Sequence, residues 1–213
     1  MGATSTEFLR QVRPRPSYRV GKRLFDIVAV LLAAPLVVPL VVLCALAVRL
    51  DSPGPVFFSQ RRTGLHNRRF AMWKFRTMCK DAEAMKASLQ HLNVLPPPDF
   101  KVPNDPRITR VGRFLRATSL DELPQLWNVL IGDMSLVGPR PTSFASDTWD
   151  LWHTARLEVR PGITGLWQVT GRGVMTFDER LRLDITYLRS MNFGNDLRIL
   201  LRTVAVVFKR SGV

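Results

Sequence analysis

Apolar positions fall into one long block and several short periodic runs. Residues 27–48 carry no charge over 22 positions. As a straight helix such a stretch rises about 33 Å, close to the ~30 Å hydrocarbon core of a bilayer. Pro35 and Pro39 stand in its middle. Each removes a backbone donor and crowds the carbonyl four residues earlier, at Leu31 and Pro35. In lipid those carbonyls need a local partner, so the expected form is two half-length pieces, 27–34 and 40–48, on either side of Pro35 and Pro39. Both flanks are basic: Arg10, Arg13, Arg15, Arg19, Lys22 and Arg23 before, Arg49, Arg61, Arg62, Arg68 and Arg69 after. Positive residues favour the cytoplasmic side, so matching flanks predict a helix that enters and leaves by one face. A kinked spanning helix is the alternative. A cleaved signal peptide fits less well despite Ala45-Leu46-Ala47, because the run begins late and exceeds the usual ~7–15 apolar residues.

The shorter runs give the remaining elements. Asp51-Ser52-Pro53-Gly54 signals a turn. Strands are expected at 56–58 and 70–78, and a helix at 81–92, where Met85, Leu89 and Leu92 recur at helical spacing. Pro96-Pro97-Pro98 opens a link to Pro106, expected to hold the least order. Short helices are expected at 108–116 and 123–131, and a longer one at 177–189 with Phe177, Leu181, Ile185 and Leu188 in one stripe. Gly162, Gly165, Gly171 and Gly173 bracket 166–170, which reads as a hairpin-like turn. Residues 196–208 are apolar with Arg198, Arg202 and Lys209, a pattern that suits an interfacial helix and a core helix equally. No internal repeat is evident. The division expected is a loose basic segment at 1–21, a re-entrant membrane helix at 22–50 and a cytoplasmic catalytic domain at 51–213, of α+β class and predominantly helical.

Composition narrows the partners. Hydrophobic residues make up 46%, and 31 Lys/Arg against 17 Asp/Glu give a net charge of +14. Such an excess implies polyanions: nucleic acid, an anionic membrane surface or phosphorylated substrates. Cys44 and Cys79 occupy unlike surroundings, and His66, His91 and His153 are scattered, which argues against a disulfide framework or a zinc site.

The densest polar constellation is Arg116-Ala-Thr-Ser119-Leu-Asp121-Glu122-Leu-Pro124-Gln125, followed by Gly132-Asp133 and Gly138-Pro139-Arg140-Pro141. Two adjacent carboxylates stand among Arg110, Arg113, Arg116 and Arg140. Arginines clamp phosphate oxygens, while a carboxylate attacks phosphorus or recruits Mg²⁺. Ser119 and Glu122 also have capping-box spacing, a purely structural reading of the same pair. Phosphate-loop, dinucleotide and hydrolase-elbow motifs are absent.

The segment Ser119-Leu-Asp-Glu-Leu-Pro-Gln-Leu-Trp-Asn-Val-Leu-Ile-Gly-Asp-Met-Ser-Leu-Val-Gly-Pro-Arg-Pro141 resembles the signature of the bacterial sugar transferases, the monotopic phosphoglycosyl transferases. Lys22-Arg-Leu-Phe-Asp26, Lys74-Phe-Arg-Thr-Met78, Arg160-Pro-Gly-Ile-Thr-Gly165 and Gln168-Val-Thr-Gly-Arg172 fit in the expected order. The resemblance implies transfer of a sugar 1-phosphate from a nucleoside diphosphate sugar, usually a uridine one, to polyprenyl phosphate. It places the enzyme on the cytoplasmic face of a bacterial inner membrane, at the start of a surface glycan. It makes Asp121 the nucleophile of a covalent phosphosugar intermediate and Glu122 the Mg²⁺ ligand. It makes Arg140 a phosphate holder, with Arg116, Lys74 and Arg172 as supporting cations. Asp184 also matches a polar family position and joins the expected phosphate-binding set.

Three departures stand out. Ala34-Pro35 replaces the frequent Ser-Pro, Gly173 replaces a common Asn, and the amino-terminal membrane bundle of larger relatives has no counterpart, so the chain resembles the small catalytic-core form. A one-step transferase with Asp121 as base and a membrane-tethered nucleic-acid binder are the competing readings. The second leaves Asp121-Glu122 without a use, and no nucleic-acid partner is expected. The sugar and any homo-oligomer stay open.

Overall fold

The structure, a computed structural model, describes residues 14–94, 100–142, 151–170 and 175–208. The triple proline, Arg172 and residues 1–13 fall outside this set. The first element is a helix, α1, Pro16–Asp51, with Pro16 at its first position, where a missing N–H costs nothing. It begins at Pro16 rather than Lys22, so residues 16–21, expected to be loose, are helical. Helical backbone is also continuous through Pro35 and Pro39, where a break was expected. Proline's fixed φ is itself helical, and losing one i−4 bond bends a helix more readily than it unwinds one. α1 is long and apolar enough to cross a membrane. Leu31, Leu32, Leu36, Val38, Val42, Leu43 and Leu46 stand exposed on it.

Where α1 is buried, it meets two parts of the body. Val30 packs with Phe70, Met72, Val129 and Met134, whereas Cys44 and Val48 pack with Phe75 and Leu115. Each buried aliphatic side chain contributes on the order of 1.5–3 kcal/mol. Both ends are also hydrogen-bonded to that body. At the start, Arg23 donates to the carbonyls of Val129 and Leu130, and Asp26 accepts from Leu136 N at 3.2 Å. Tyr18 and Lys22 donate to Asp196 at 2.6 and 2.8 Å. At the finish, Asp51 accepts from Val111 N at 3.0 Å. The guanidinium of Arg76 holds the turn through Pro53 O at 2.8 Å and Ser52 O at 2.7 Å. Gly54 has φ +120°, and a Cβ there would sit 2.2 Å from Arg76 Nη1, so this turn requires glycine.

Strands β1 (Phe57–Thr63) and β2 (Arg69–Phe75) form an antiparallel ribbon that pairs Phe58 with Lys74 and Arg62 with Phe70. β1 runs five residues past the expected 56–58, because alternation carries it through Gln60 and Arg62 with ladder partners throughout. Residues Ala84–Leu92 are 3₁₀ rather than α-helical; none is buried, so no packing favours a full α-helical face. Helix α2 (Arg110–Ala117) is capped by Thr109, which accepts from Gly112 N, and α3 (Gln125–Ile131) follows with Pro124 at its N-cap. Buried Asn128 ties α3 to β2, donating to Ala71 O and accepting from Trp73 N.

β3 (Ser135–Val137) pairs in parallel with β4 (Gly162–Thr164). Residues expected to form a turn instead make a short helix, α4 (Leu166–Thr170); Gln168 N bonds to Gly165 O and closes its first turn. Helix α5 (Phe177–Arg189) matches its predicted range and carries a true capping box, Thr176 with Glu179. Helix α6 (Phe193–Phe208) begins three residues before the expected 196–208 and is packed on the body along one side. Ile199 is buried against Tyr187, while Leu197, Leu201 and Val204 are exposed. The described chain is predominantly helical, as expected.

Candidate active site

The site begins with a constrained backbone. After α2, Ser119 adopts φ 57°, a left-handed conformation that costs of order 1 kcal/mol for a non-glycine residue. It turns the chain into a 3₁₀ turn, Leu120–Glu122. The side chain of Ser119 makes no cap bond there, so Ser119 and Glu122 do not form the capping box their spacing allowed. Glu122 is turned inward. Lys74 of β2 donates to its Oε1 at 2.7 Å, and Arg140 grips both oxygens, at 2.6 and 3.3 Å.

Arg140 is presented by a tight crossing. Gly138 lies against the carbonyl of Arg160 and the nitrogen of Gly162, where a Cβ would come within 2.6 and 2.8 Å. The strand pair thus closes only over glycine, and Pro139-Arg140-Pro141 emerges toward Glu122. Arg156 braces the segment from behind, donating to Arg140 O.

Asp121 is buried beside this knot, its carboxylate 3.8 Å from Lys74 Nζ. Burial pushes its pKa up, Lys74 opposes that, and neighbouring Glu122 adds to it. Glu122 goes the other way: burial alone would raise it, but Arg140 and Lys74 together hold it well below the usual glutamate range. The two carboxylates therefore have divided properties. One is a comparatively basic carboxylate, and the other is a permanent anion that orders two cations. Arg116, lowered by burial and supported by Asp121, is fixed through Nε to Thr77 Oγ1 at 2.8 Å.

These groups line an open cleft of about 840 Å³. Lys74, Arg116, Asp121, Glu122 and Arg140 form its polar end, and Pro55, Phe57, Phe58 and Phe75 an apolar wall. Phe75 also packs on Cys44 and Val48 of α1, so the wall continues into the apolar helix.

Of the residues singled out by sequence, the structure brings together Asp121, Glu122, Lys74, Arg116 and Arg140. It does not bring Asp184 to the cleft floor. That side chain is 1% exposed and pairs with Arg156 at 2.8 Å, and burial, partly offset by Arg156, raises its pKa to about 6. Asp184 thus meets Arg156, the residue that donates to Arg140 O. Ala34, Pro35 and Pro39 lie in the helix and do not line the cleft.

Sequence reasoning missed Thr77 and Arg62. Arg62 lines the cleft next to Arg140, and burial, with Arg140 close by, lowers its pKa to about 10. The alternation of Phe58, Gln60 and Arg62 along β1 was the available signal for it.

For a divalent ion, the described residues contain no group of three or more His, Cys, Asp or Glu side chains. The adjacent carboxylates still suit Mg²⁺, which takes one or two carboxylates and draws its other ligands from water and substrate phosphates. A metal at Glu122 competes with Lys74 and Arg140 for the same oxygens.

The family model described as "Bacterial sugar transferase" matches residues 17–210. The UDP-glucose:undecaprenyl-phosphate glucose-1-phosphate transferase of Caulobacter vibrioides is 45% identical over 90% of this chain and 71% of its own length. The undecaprenyl-phosphate galactose phosphotransferase of Salmonella typhimurium is 43% identical over 92% of this chain and 42% of its own. The exopolysaccharide production protein ExoY of Rhizobium meliloti is 38% identical over 91% and 88%. The chain spans less than half the length of several curated relatives it matches, the Salmonella enzyme among them. With the matched segment covering nearly the whole chain and the acidic pair set among its basic partners, this protein belongs to the bacterial sugar transferase family.

Proposed function

We propose that this protein is a phosphoglycosyl transferase that moves a sugar 1-phosphate from a UDP-sugar to polyprenyl phosphate, in two steps through an Asp121 phosphosugar. The observation that carries the reading is the buried Asp121-Glu122 pair under Lys74, Arg116 and Arg140, in a cleft whose wall runs into an apolar helix. In the first step an Asp121 oxygen bonds to the sugar-bearing phosphorus while the bond to the bridging oxygen breaks. That electron pair leaves on nucleoside monophosphate. In the second, an oxygen of the lipid phosphate bonds to the same phosphorus and the Asp121 carboxylate is released. Burial makes Asp121 a better nucleophile than an exposed aspartate. Lys74, Arg116 and Arg140 meet the charge on the transferring phosphoryl group. Glu122 keeps Lys74 and Arg140 aimed there before substrate arrives. Glu122 is the residue that would hold Mg²⁺, which when bound would supply charge neutralisation to the diphosphate.

Both ends of α1 support a membrane setting on one face. The start is bonded to α3, Leu136 and Asp196, the finish to α2 and Arg76, so both ends belong to one body. A straight spanning helix would part the ends of the apolar stretch by about 33 Å, across the bilayer. A re-entrant course, bent near Pro35 and Pro39, keeps both on the cytoplasmic face of the inner membrane. There lipid phosphate and soluble donor meet at one cleft, and the basic flanks hold anionic headgroups at about 1 kcal/mol per residue near the surface.

The test is release of uridine monophosphate from a panel of UDP-sugars, with polyprenyl phosphate and Mg²⁺. One sugar should support turnover, and Asp121→Asn should abolish it while leaving membrane association intact. Near-wild-type turnover by that variant removes Asp121 as nucleophile.

A further inference from the structure

Behind Arg140 lies a second cavity of about 130 Å³, lined by Arg62, Arg140, Thr142, Arg156, Trp167 and Arg180 among others. It adjoins the main cleft: Arg62, Arg140 and Trp167 line both spaces. Its volume far exceeds the roughly 10–15 Å³ that one water needs. Four guanidiniums line it against one carboxylate, Asp184, which Arg156 already neutralises.

Arg62 is the anomaly. Sequestered Arg107, Arg156 and Arg140 have the acidic partners Asp105, Asp184 and Glu122, and buried Arg76 is held by the carbonyls of Ser52 and Pro53. Among the described residues Arg62 has none within ion-pair distance; its bond is to the neutral amide of Gln60, at 2.5 Å. Its Nε is buried without a hydrogen-bond partner, and so is the hydroxyl of Thr142 across the cavity. Buried polar groups in native proteins are nearly always satisfied, and leaving a charged donor unpaired is costly. Arg62 and Thr142 both line this space, and its guanidiniums outnumber its single carboxylate, a lining that suits a tetrahedral anion.

We infer that this cavity is a second phosphate subsite, in which Arg62 and Arg140 hold the nucleotide phosphate that leaves in the first step and the lipid phosphate that attacks in the second. This rests on the two-step reading above. Asp121 displaces nucleoside monophosphate from one side of the phosphorus. The lipid phosphate later displaces Asp121, and in-line displacement brings it in opposite the Asp121 oxygen, from the side the nucleotide left. One seat therefore serves both phosphate monoesters in turn, and Arg140, shared between the two spaces, links that seat to the nucleophile.

The experiment compares wild type with Arg62→Ala, Arg62→Lys and Thr142→Val, in lipid nanodiscs. Three quantities are read: calorimetric affinity for uridine monophosphate, label transferred to protein from β-³²P UDP-sugar alone, and transfer from preformed adduct to polyprenyl phosphate. Losing a charge-assisted contact predicts that Arg62→Ala weakens nucleotide binding and slows both half-reactions by about 10- to 100-fold. Arg62→Lys should recover part of each loss, since it keeps the charge without the fork. Thr142→Val should lose several-fold in nucleotide affinity. Wild-type values in Arg62→Ala overturn the subsite, and an effect on the nucleotide steps alone overturns the shared seat. If Arg62→Ala fails to fold, unchanged affinity and rates in both Arg62→Lys and Thr142→Val overturn it instead. Absence of label on wild-type protein refutes the two-step reading separately, and nucleotide affinity still decides whether Arg62 binds phosphate.

Discussion

Glu122→Gln separates the architecture of the site from its chemistry. The carboxylate of Glu122 accepts from Lys74 at 2.7 Å and from Arg140 at 2.6 and 3.3 Å. A glutamine keeps one acceptor oxygen, replaces the other with a donor that faces a guanidinium, and removes the charge both cations rely on. Breaking a fully buried ion pair costs about 3–5 kcal/mol. The side chains of Arg140 and Lys74 remain 30% and 20% exposed, so water recovers part of that and the lower end, about 3 kcal/mol, applies. At roughly 2–4 °C per kcal/mol for a chain of this size, the variant should melt about 6–12 °C lower. Thermal unfolding in detergent, at one scan rate for both proteins, measures this. Adding UDP should stabilise the variant more than the wild type, because the diphosphate supplies the missing anion. A melting temperature unchanged within a degree refutes the placement of Glu122 as the anion that orders Lys74 and Arg140.

Other consequences are as direct. The donor half-reaction should fall as pH drops through the raised Asp121 value, with an acid limb above the ordinary 3.8. Arg116→Gln should move that limb higher, since Arg116 favours the carboxylate; a limb at or below 3.8 in wild type contradicts the burial argument. Asp184, with a folded value near 6, stabilises the fold in its protonated form below about pH 4, and this contribution is lost as pH rises through about 6. It amounts to about 3 kcal/mol at most, and Asp184→Asn should flatten the corresponding slope in denaturant melts between pH 4 and 7. Cysteines placed near residues 20 and 55 should label from one side of sealed vesicles; opposite-side labelling would sink the re-entrant course.

The sequence made the apolar block, α5 and the acidic pair legible for a common reason: each is a local pattern. Helix period identified α5, and the uninterrupted run marked α1. What escaped it was set by distant partners. The packing of Val30, Cys44 and Val48 of α1 against the body joins residues far apart in sequence, which no local rule contains. Ser119 and Glu122 had the spacing of a cap, yet Lys74 and Arg140, 48 and 18 residues away in sequence, claimed the glutamate. The real capping box, at Thr176 and Glu179, was not singled out. Asp184 looked like a site residue because it is a carboxylate in a matching motif. Only the fold reveals Arg156 between it and the cleft. Arg62 was visible as one more basic residue in a basic stretch, and its register opposite Phe70 is what turns it toward Arg140.

The central claim is that an Asp121 oxygen takes phosphorus from the donor before any lipid is present. Intact-protein and peptide mass spectrometry, after incubation with UDP-sugar and Mg²⁺ but no acceptor, tests it most directly. The account predicts a mass increase of one sugar phosphate, localised to Asp121, absent in Asp121→Asn and discharged on adding polyprenyl phosphate. An unmodified Asp121, in a preparation that turns over once lipid is supplied, contradicts it.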